Sequence, residues 1–140
     1  MTDIVDAFAL VALGLEEGAA DEVEVVLRRG DAAVVAVNLA EAMDVLARIH
    51  DRSLDELKES FAANVARILD VDERHAWRAV ELRRHYYRRG QSALSLGDCF
   101  LLAAAGARDS IATADRAVAQ AARAEGIEVI ALPGPDGRRP

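Results

Sequence analysis

The sequence has 140 residues, enough for one domain that buries about two thirds of its unfolded surface. Hydrophobic residues make up 52% of it and charged residues 29%, a balance that excludes an intrinsically disordered chain. With 24 acidic and 17 basic residues, the net charge is −7, which argues against nucleic-acid binding through bulk attraction and leaves only a local basic face for such a partner.

The first part of the sequence alternates between strand and helix patterns. The short apolar segment Asp3–Ala7 predicts a buried strand, and Phe8–Leu15 then predicts a helix. A second helix is predicted between Gly18 and Gly30, because its acids come early and its arginines late, as the helix dipole favours. The β-branched, unalternating segment Ala32–Val37 predicts a strand that is covered on both faces.

The middle of the sequence predicts three consecutive helices. The first runs from its N-cap Asn38 to His50. The second, Ser53–Leu69, opens with a capping box between its first residue and Glu56. The third, Asp72–Gly90, ends at its glycine.

The last part of the sequence returns to alternating elements. A helix opened by Asp98 is followed by a strand at Ser110–Thr113, another helix, and a strand at Gly126–Leu132. Because the strands are uniformly apolar and alternate with helices, we expect an α/β domain with a parallel sheet between helices. We expect this domain to span residues 1–132 and a flexible, solvated tail to span residues 133–140.

The cysteine content and the apolar segments bear on the cellular compartment. The single cysteine, Cys99, excludes an intrachain disulfide and favours a reducing cytoplasm. The acidic amino terminus lacks the basic start of a signal peptide, and no apolar stretch approaches the ~20 residues that span a membrane. We therefore expect a cytoplasmic protein without membrane association.

Four acids lie at the same edge of the predicted sheet. Asp6 ends the first strand, and Asp115 follows the strand Ser110–Thr113. Glu41 lies one turn into the helix after the second strand, and Asp98 opens its own helix. Since ligands of such sheets bind beyond the carboxyl ends of the strands, we expect the four carboxylates to share one pocket.

Each of these acids also has a structural interpretation. Asp98 fits a capping box with Ser95, and Asp115 suits the positive end of its helix. Glu41 fits a solvated helix face as well as a pocket. Asp6 fits a purely structural role least, because it lies in an apolar segment and carboxylates are rarely buried unless they are paired.

Convergence of these acids would have a definite electrostatic consequence. Two like charges ~4 Å apart repel by about 4 kcal/mol at an effective dielectric near 20, and several such pairs would rival the stability of a whole domain. A cation can neutralise the group. Oxygen ligands without His or Cys favour Mg²⁺ or Mn²⁺ over zinc, and such ions assist phosphodiester hydrolysis.

The order of these motifs resembles that of PIN-domain ribonucleases, in particular the toxins of VapBC-type toxin–antitoxin pairs. The resemblance extends from about Asp3 to Leu132 and is most specific in the segments LSLGDCFLLAAA and TADRAVA. It implies a PIN-like three-layer α/β/α domain with a central, mostly parallel sheet of about four to five strands.

The resemblance also implies a function and a set of partners. It implies a Mg²⁺- or Mn²⁺-dependent endoribonuclease, the toxin of a type II pair, that hydrolyses tRNA or rRNA. Its catalytic and metal-binding residues would be Asp6, Glu41, Asp98 and Asp115. It further implies a homodimer and a VapB-type antitoxin that inhibits the enzyme by placing a peptide segment in or beside the active-site groove.

Two positions near the acids bear on this implied activity. The family usually has a small hydroxylic residue two positions after its first aspartate, where this sequence has Phe8. This departure leaves open a catalytically impaired module that binds RNA or a protein partner. Thr113 matches the usual hydroxylic residue two positions before Asp115, where it would orient a carboxylate or a metal-bound water, or cap the following helix.

A basic, tyrosine-containing run before the Asp98 motif is the predicted RNA contact. Arginine and aromatic side chains suit phosphate contact and base stacking. The predicted RNA-binding residues are Arg83, Arg84, Arg88 and Arg89. The alternative is a solvated helix end, with Tyr86 or Tyr87 turned into the core.

Overall fold

The computed structural model describes residues 1–64, 67–87 and 93–140, and a sheet of five parallel strands lies at its centre. The strands are β1 (Asp3–Val5), β2 (Ala32–Val35), β3 (Ile68–Leu69), β4 (Ser110–Thr113) and β5 (Glu128–Ala131). Their spatial order is β3-β2-β1-β4-β5, so β1 is the middle strand. The predicted α/β class with a parallel sheet is confirmed.

Helices connect the strands and cover both faces of the sheet. The described helices are α1 (Ala7–Leu15), α2 (Ala20–Arg28), α3 (Ala36–Asp44), α4 (Leu54–Asn64), α5 (Glu73–Tyr86), α6 (Leu96–Ala104) and α7 (Arg116–Ala124). A π-helical turn, Val45–Ile49, extends α3. The longest of these helices has 14 residues, so none of the helices in the described ranges has the apolar length that a bilayer crossing needs.

Alternating residues of each strand supply the two halves of the hydrophobic core. In β1, Ile4 packs with buried residues of α5, α6 and α7, whereas Val5 packs with those of α1, α2 and α3. In β4, Ile111 and Ala112 divide in the same way. Both faces are therefore buried, as a parallel sheet requires, and the domain has three layers.

The chain from residue 53 to residue 69 is not one helix, which corrects the sequence-based prediction. Helix α4 ends at Asn64, and Ile68 and Leu69 form the edge strand β3 beside β2. The Val34 amide donates to the Arg67 carbonyl at 2.9 Å. Pairing with the free edge of β2 thus overrides the local helical pattern, as tertiary context often does.

The start of α3 is a second correction. The predicted strand Ala32–Val37 ends at Val35, and the helix begins at Ala36, two residues before the predicted N-cap. Asn38 therefore lies inside the helix, where it is buried. The glycine at position 90, predicted to end α5, lies outside the described residues, and the described helix ends at Tyr86.

The segment after β5 contacts the body of the domain. The guanidinium of Arg139 donates to both carboxylate oxygens of Glu22 on α2, at 2.7 and 2.8 Å, and to the Ala131 carbonyl at 2.6 Å. The hydrogen bond from Arg139 lowers the pKa of Glu22. The domain boundary at residue 132 stays a prediction.

Candidate functional site

The carboxyl ends of three neighbouring strands bring the predicted acids to one edge of the sheet. Strand β1 lies between β2 and β4, and all three run in the same direction. Asp6 directly follows β1, and Asp115 lies two residues beyond β4. Glu41 lies in α3, which directly follows β2. The fourth acid, Asp98, lies in the first turn of α6, which packs against α3.

Asp6 is a buried carboxylate with hydrogen bonds from two elements. It is the N-cap of α1, and its Oδ1 accepts from the Ala9 amide at 2.7 Å. The Thr113 hydroxyl at the end of β4 also donates to it. Only 4% of Asp6 is exposed, and burial raises its pKa to about 6. The two hydrogen bonds oppose this rise, and the charges of Asp98 and Asp115 add to it.

Thr113 joins Asp6 to Asp115. Its hydroxyl oxygen accepts from the Asp115 amide at 3.0 Å while its proton is donated to Asp6. Asp115 in turn caps α7, because its Oδ1 accepts from the Ala117 and Val118 amides at 2.7 and 3.1 Å. Thr113 is fully buried, so this connection is shielded from water. Asp115 therefore caps α7 and is also linked to Asp6 through Thr113.

Asp98 combines a capping box with the same electrostatic neighbourhood. Its Oδ2 accepts from the Ser95 amide at 2.8 Å, and the Ser95 hydroxyl accepts from the Asp98 amide at 3.1 Å. Burial raises its pKa, hydrogen bonds from Ser95 lower it, and the charge of Asp115 raises it further. Asp98 also contributes to the raised pKa of Asp6 and of Glu41, so it interacts with all three other acids.

Glu41 is held by an asparagine that the sequence pattern predicted as a helix N-cap. The Asn38 amide nitrogen donates to Glu41 Oε2 and to the Gly97 carbonyl, each at 3.1 Å. Burial raises the pKa of Glu41, the hydrogen bond from Asn38 lowers it, and the charge of Asp98 raises it. A Cβ atom at Gly97 would lie 2.0 Å from Glu41 Oε1, so only glycine admits the carboxylate in this position.

The buried amide of Asn38 is only half satisfied. It is 1% exposed, and its Oδ1 has no hydrogen-bond donor among the described residues. A buried unpaired acceptor costs about 1–3 kcal/mol. The signal for this residue in the sequence was its position three residues before Glu41, which places both on one helix face once the helix begins at Ala36.

We refer to Asp6, Glu41, Asp98 and Asp115 together as the acid site. None of the ion pairs formed within the described residues involves any of them. Among those residues, no three His, Cys, Asp or Glu side chains lie close enough together to hold a metal ion as they stand. The acids thus interact through their charges without forming a complete ligand shell.

The donor set nevertheless fits a hard divalent cation. All four side chains are carboxylates, and oxygen ligands without nitrogen or sulfur favour Mg²⁺ or Mn²⁺. Burial is the largest cause of the raised pKa values of Asp6, Glu41 and Asp98, and like charge adds to it; a nearby cation would favour the ionised form of each. Phe8, two residues after Asp6, is 44% exposed and offers no ligand.

The basic run is only partly available for a ligand. Arg78 pairs with Glu125, and the Tyr86 hydroxyl donates to the same carboxylate at 2.6 Å, which ties α5 to α7. Arg83 lies over the Tyr87 ring at 5.0 Å, and Arg84 is exposed. The predicted RNA-binding arginines at positions 88 and 89 lie outside the described residues.

A groove of about 610 Å³ opens between α1, α2, the π-helical turn and α4. Its floor is apolar, with Leu10, Leu13 and Phe61. Its lining also includes four acids, among them Glu24 and Glu56, and two arginines, of which Arg28 pairs with Glu24. We call it the helical groove. It is lined by none of the four acid-site residues.

Residues 4–131 match the PIN domain family. A comparison with curated protein sequences finds no significant match. Similar solved structures include DNA-bound VapBC from Salmonella typhimurium, with a TM-score of 0.63, 18% identity, and coverage of 92% of this chain and 97% of that one. VapBC2 from Rickettsia felis, bound to a promoter DNA fragment, has a TM-score of 0.62, 15% identity and the same coverage. A toxin–antitoxin complex from Klebsiella pneumoniae has a TM-score of 0.60 and 20% identity, over 81% of this chain and 87% of that one.

Proposed function

Because the chain belongs to the PIN domain family, we propose that it is a metal-dependent endoribonuclease that hydrolyses phosphodiester bonds of RNA, with tRNA or rRNA as substrate. PIN domains are generally nucleases, and the four acids fit such chemistry. The observation that carries the proposal is the mutual electrostatic interaction of Asp98 with Asp6, Glu41 and Asp115 at one edge of the sheet. The cofactor we propose is Mg²⁺ or Mn²⁺.

In the proposed mechanism, some interactions hold the cation and others orient the carboxylates that hold it. A bound divalent cation would favour deprotonation of a water and offset charge that develops on the phosphate. Asp6, Glu41, Asp98 and Asp115 are the side chains that would hold it. Thr113 fixes the orientation of the Asp6 carboxylate through its donated proton. The capping interactions of Asp98 and Asp115 fix these carboxylates to rigid helix ends, where little reorganisation is needed.

We further propose that the protein is the toxin of a type II pair and acts in the cytoplasm as a homodimer. The similar structures from three bacteria are described as toxin–antitoxin complexes, which supports a VapB-type antitoxin as the partner. The helical groove, with its apolar floor and its four acids against two arginines, is suited to an apolar peptide with basic residues. Leu13→Arg should then abolish antitoxin binding, whereas Val25→Arg, on the exposed face of α2, should not.

RNA would approach along α5 and the first turn of α6. The positive charge of Arg83 reaches Cys99, the residue next to Asp98, so this arginine lies near the acid site. Arg84 lies beside it in α5 and is exposed, which suits phosphate contact. The alternative function is a catalytically impaired module that binds RNA or a protein partner, and the exposed Phe8 in place of a hydroxylic residue favours it.

The decisive experiment is cleavage of a total tRNA pool by the purified protein with Mg²⁺ or Mn²⁺. Asp98→Asn should abolish cleavage without unfolding the domain, because an asparagine oxygen can still accept the hydrogen bond from the Ser95 amide. Asp55→Asn, on an exposed residue of α4, is the matched control and should cleave as wild type does. Intact RNA with every protein, together with no metal binding, would favour the alternative.

A further inference from the structure

The Asn38 amide makes a buried hydrogen bond between α3 and the amino-terminal turn of α6. Asn38 Nδ2 donates at 3.1 Å to two acceptors: Glu41 Oε2 in α3 and the Gly97 carbonyl in α6. Asn38 is 1% exposed, so its hydrogen bond to Gly97 is shielded from bulk water, and its hydrogen bond to the half-buried Glu41 is partly shielded. One side chain thereby links the helix that carries Glu41 to the turn that carries Asp98.

The orientation of this amide is fixed by its partners. Turning it by 180° would direct Oδ1 at a carboxylate oxygen and a carbonyl oxygen, both of which only accept hydrogen bonds. In the observed orientation, Oδ1 is the atom without a donor among the described residues. The chain thus leaves one buried acceptor unpaired in order to direct two donors at Glu41 and Gly97.

Gly97 completes the arrangement from the opposite side. Because Gly97 has no Cβ, it leaves room for the Glu41 carboxylate. A Cβ at this position would lie 2.0 Å from Glu41 Oε1. Glu41 is therefore confined between the Asn38 amide and the Gly97 backbone.

We propose that Asn38 is a positioning residue of the acid site, which holds Glu41 against the first turn of α6 so that it can serve as a ligand of a divalent cation. This inference rests on the proposed metal-dependent function. It differs from a purely structural role in one respect: loss of Asn38 weakens cation binding through Glu41, in addition to any effect on stability. Side chains that orient metal-binding groups typically change metal affinity about 10–100-fold when they are removed.

The test is Mn²⁺ binding by calorimetry to wild type, Asn38→Leu, Glu41→Gln and the double variant. Leucine branches at Cγ as asparagine does, and it removes both donors and the unpaired acceptor. We expect Asn38→Leu to weaken Mn²⁺ binding at least about 10-fold, and the double variant to bind no more weakly than Glu41→Gln alone. Asn64→Leu, at the exposed end of α4, is the matched control and should bind as wild type does.

Additive effects of the two substitutions, or unchanged Mn²⁺ affinity of a folded Asn38→Leu, would overturn the proposal. If Asn38→Leu does not fold, Asn38→Ser, which keeps one donor, takes its place in the comparison with Glu41→Gln and the double variant. Asn38→Ser should then show a smaller loss of Mn²⁺ affinity. If wild type itself binds no Mn²⁺, the proposed function fails instead. Amide hydrogen exchange then tests the contact without metal: Ser95 and Asp98 should exchange faster in Asn38→Leu than in Asn64→Leu, and equal rates would overturn it.

Discussion

An aspartate lies at each end of strand β1, and the two aspartates have opposite electrostatic surroundings. At its amino end, Asp3 accepts a hydrogen bond from the Ser110 hydroxyl and pairs with Arg29 at 3.5 Å. Three residues later, at its carboxyl end, Asp6 is buried beside other carboxylates, and none of the ion pairs in the described part of the chain includes it. One end therefore carries balanced charge, and the other carries an excess that a bound cation would balance.

The difference separates carboxylates that are paired within the fold from carboxylates that lie beside like charge. Asp109, also at the amino edge, accepts hydrogen bonds from the Thr2 amide at 2.9 Å and the Gly106 amide at 2.8 Å, which fixes the start of β4. The acids at the carboxyl edge also cap helices, yet burial and like charge raise the pKa of Asp6 and Asp98. A fold that needed only helix caps would gain nothing from this repulsion.

Exchange of the two aspartates of β1 for asparagine is the most direct test of the comparison. Asp6→Asn should reduce RNA cleavage at least about 100-fold, because it removes a charge that would hold the proposed cation, whose contribution to catalysis is several kcal/mol. Asp3→Asn should stay within about threefold of wild type, since its ion pair with Arg29 is partly exposed. Initial rates of cleavage at saturating Mn²⁺ measure the effect of each substitution. Equal losses of rate would contradict a different role for the two edges of the sheet.

The pH dependence of stability should also separate the two ends. The pKa of Asp6 is about 6 in the folded protein against 3.8 in the unfolded chain, so the folded state holds the proton more tightly. The stability contributed by that proton is fully present below about pH 4 and is lost as the pH rises through about 6. This loss corresponds to about 3 kcal/mol.

Urea unfolding without divalent ions measures this effect. Between pH 4 and pH 7, wild type should lose about 2.4 kcal/mol of unfolding free energy relative to Asp6→Asn, which cannot titrate at this position. Asp3→Asn, which keeps the Asp6 carboxyl, should follow wild type. If the unfolding free energies of wild type and Asp6→Asn depend on pH in the same way, the raised pKa of the buried Asp6 carboxyl is contradicted.

Gly97→Ala should separate activity from stability at the carboxyl edge. The three atoms nearest the added Cβ all belong to the carboxylate end of Glu41, so Glu41 is the group that must move first. We expect cleavage to fall about 10-fold or more, whereas the unfolding free energy changes by less than about 1 kcal/mol, helped by the higher helix propensity of alanine. A variant with full activity would show that the confined position of Glu41 is dispensable.

The smallest effect is expected from substitutions in the basic run of α5. Replacing both Arg83 and Arg84 by Glu should weaken RNA binding and reduce its salt dependence, with a slope lower by about 1 for each phosphate that the protein no longer binds. The double variant Arg74→Glu with Arg138→Glu has the same change in net charge at exposed sites and serves as the control. Equal salt dependence of the two double variants would place the RNA path elsewhere.

The sequence predicted the sheet and the elements that carry the acids for a physical reason. Uniformly apolar strands followed by helices leave few topologies, and parallel strands bring their carboxyl ends together. The two-residue strand β3 was missed because its pairing depends on the free edge of β2, which no local pattern records. The role of Asn38 was missed because the apolar run Ala32–Val37 conceals the point where strand becomes helix.

The hydrogen bonds around Thr113 run in one direction, from the Asp115 amide to the Thr113 oxygen and from the Thr113 proton to Asp6. A change in the charge of Asp6 is therefore felt at the backbone of Asp115, on a different helix. This gives the molecule an internal reporter. The nitrogen and proton chemical shifts of the Asp115 amide should follow the protonation of Asp6 and the arrival of a cation, so one spectral line can record events in the pocket without any label near it.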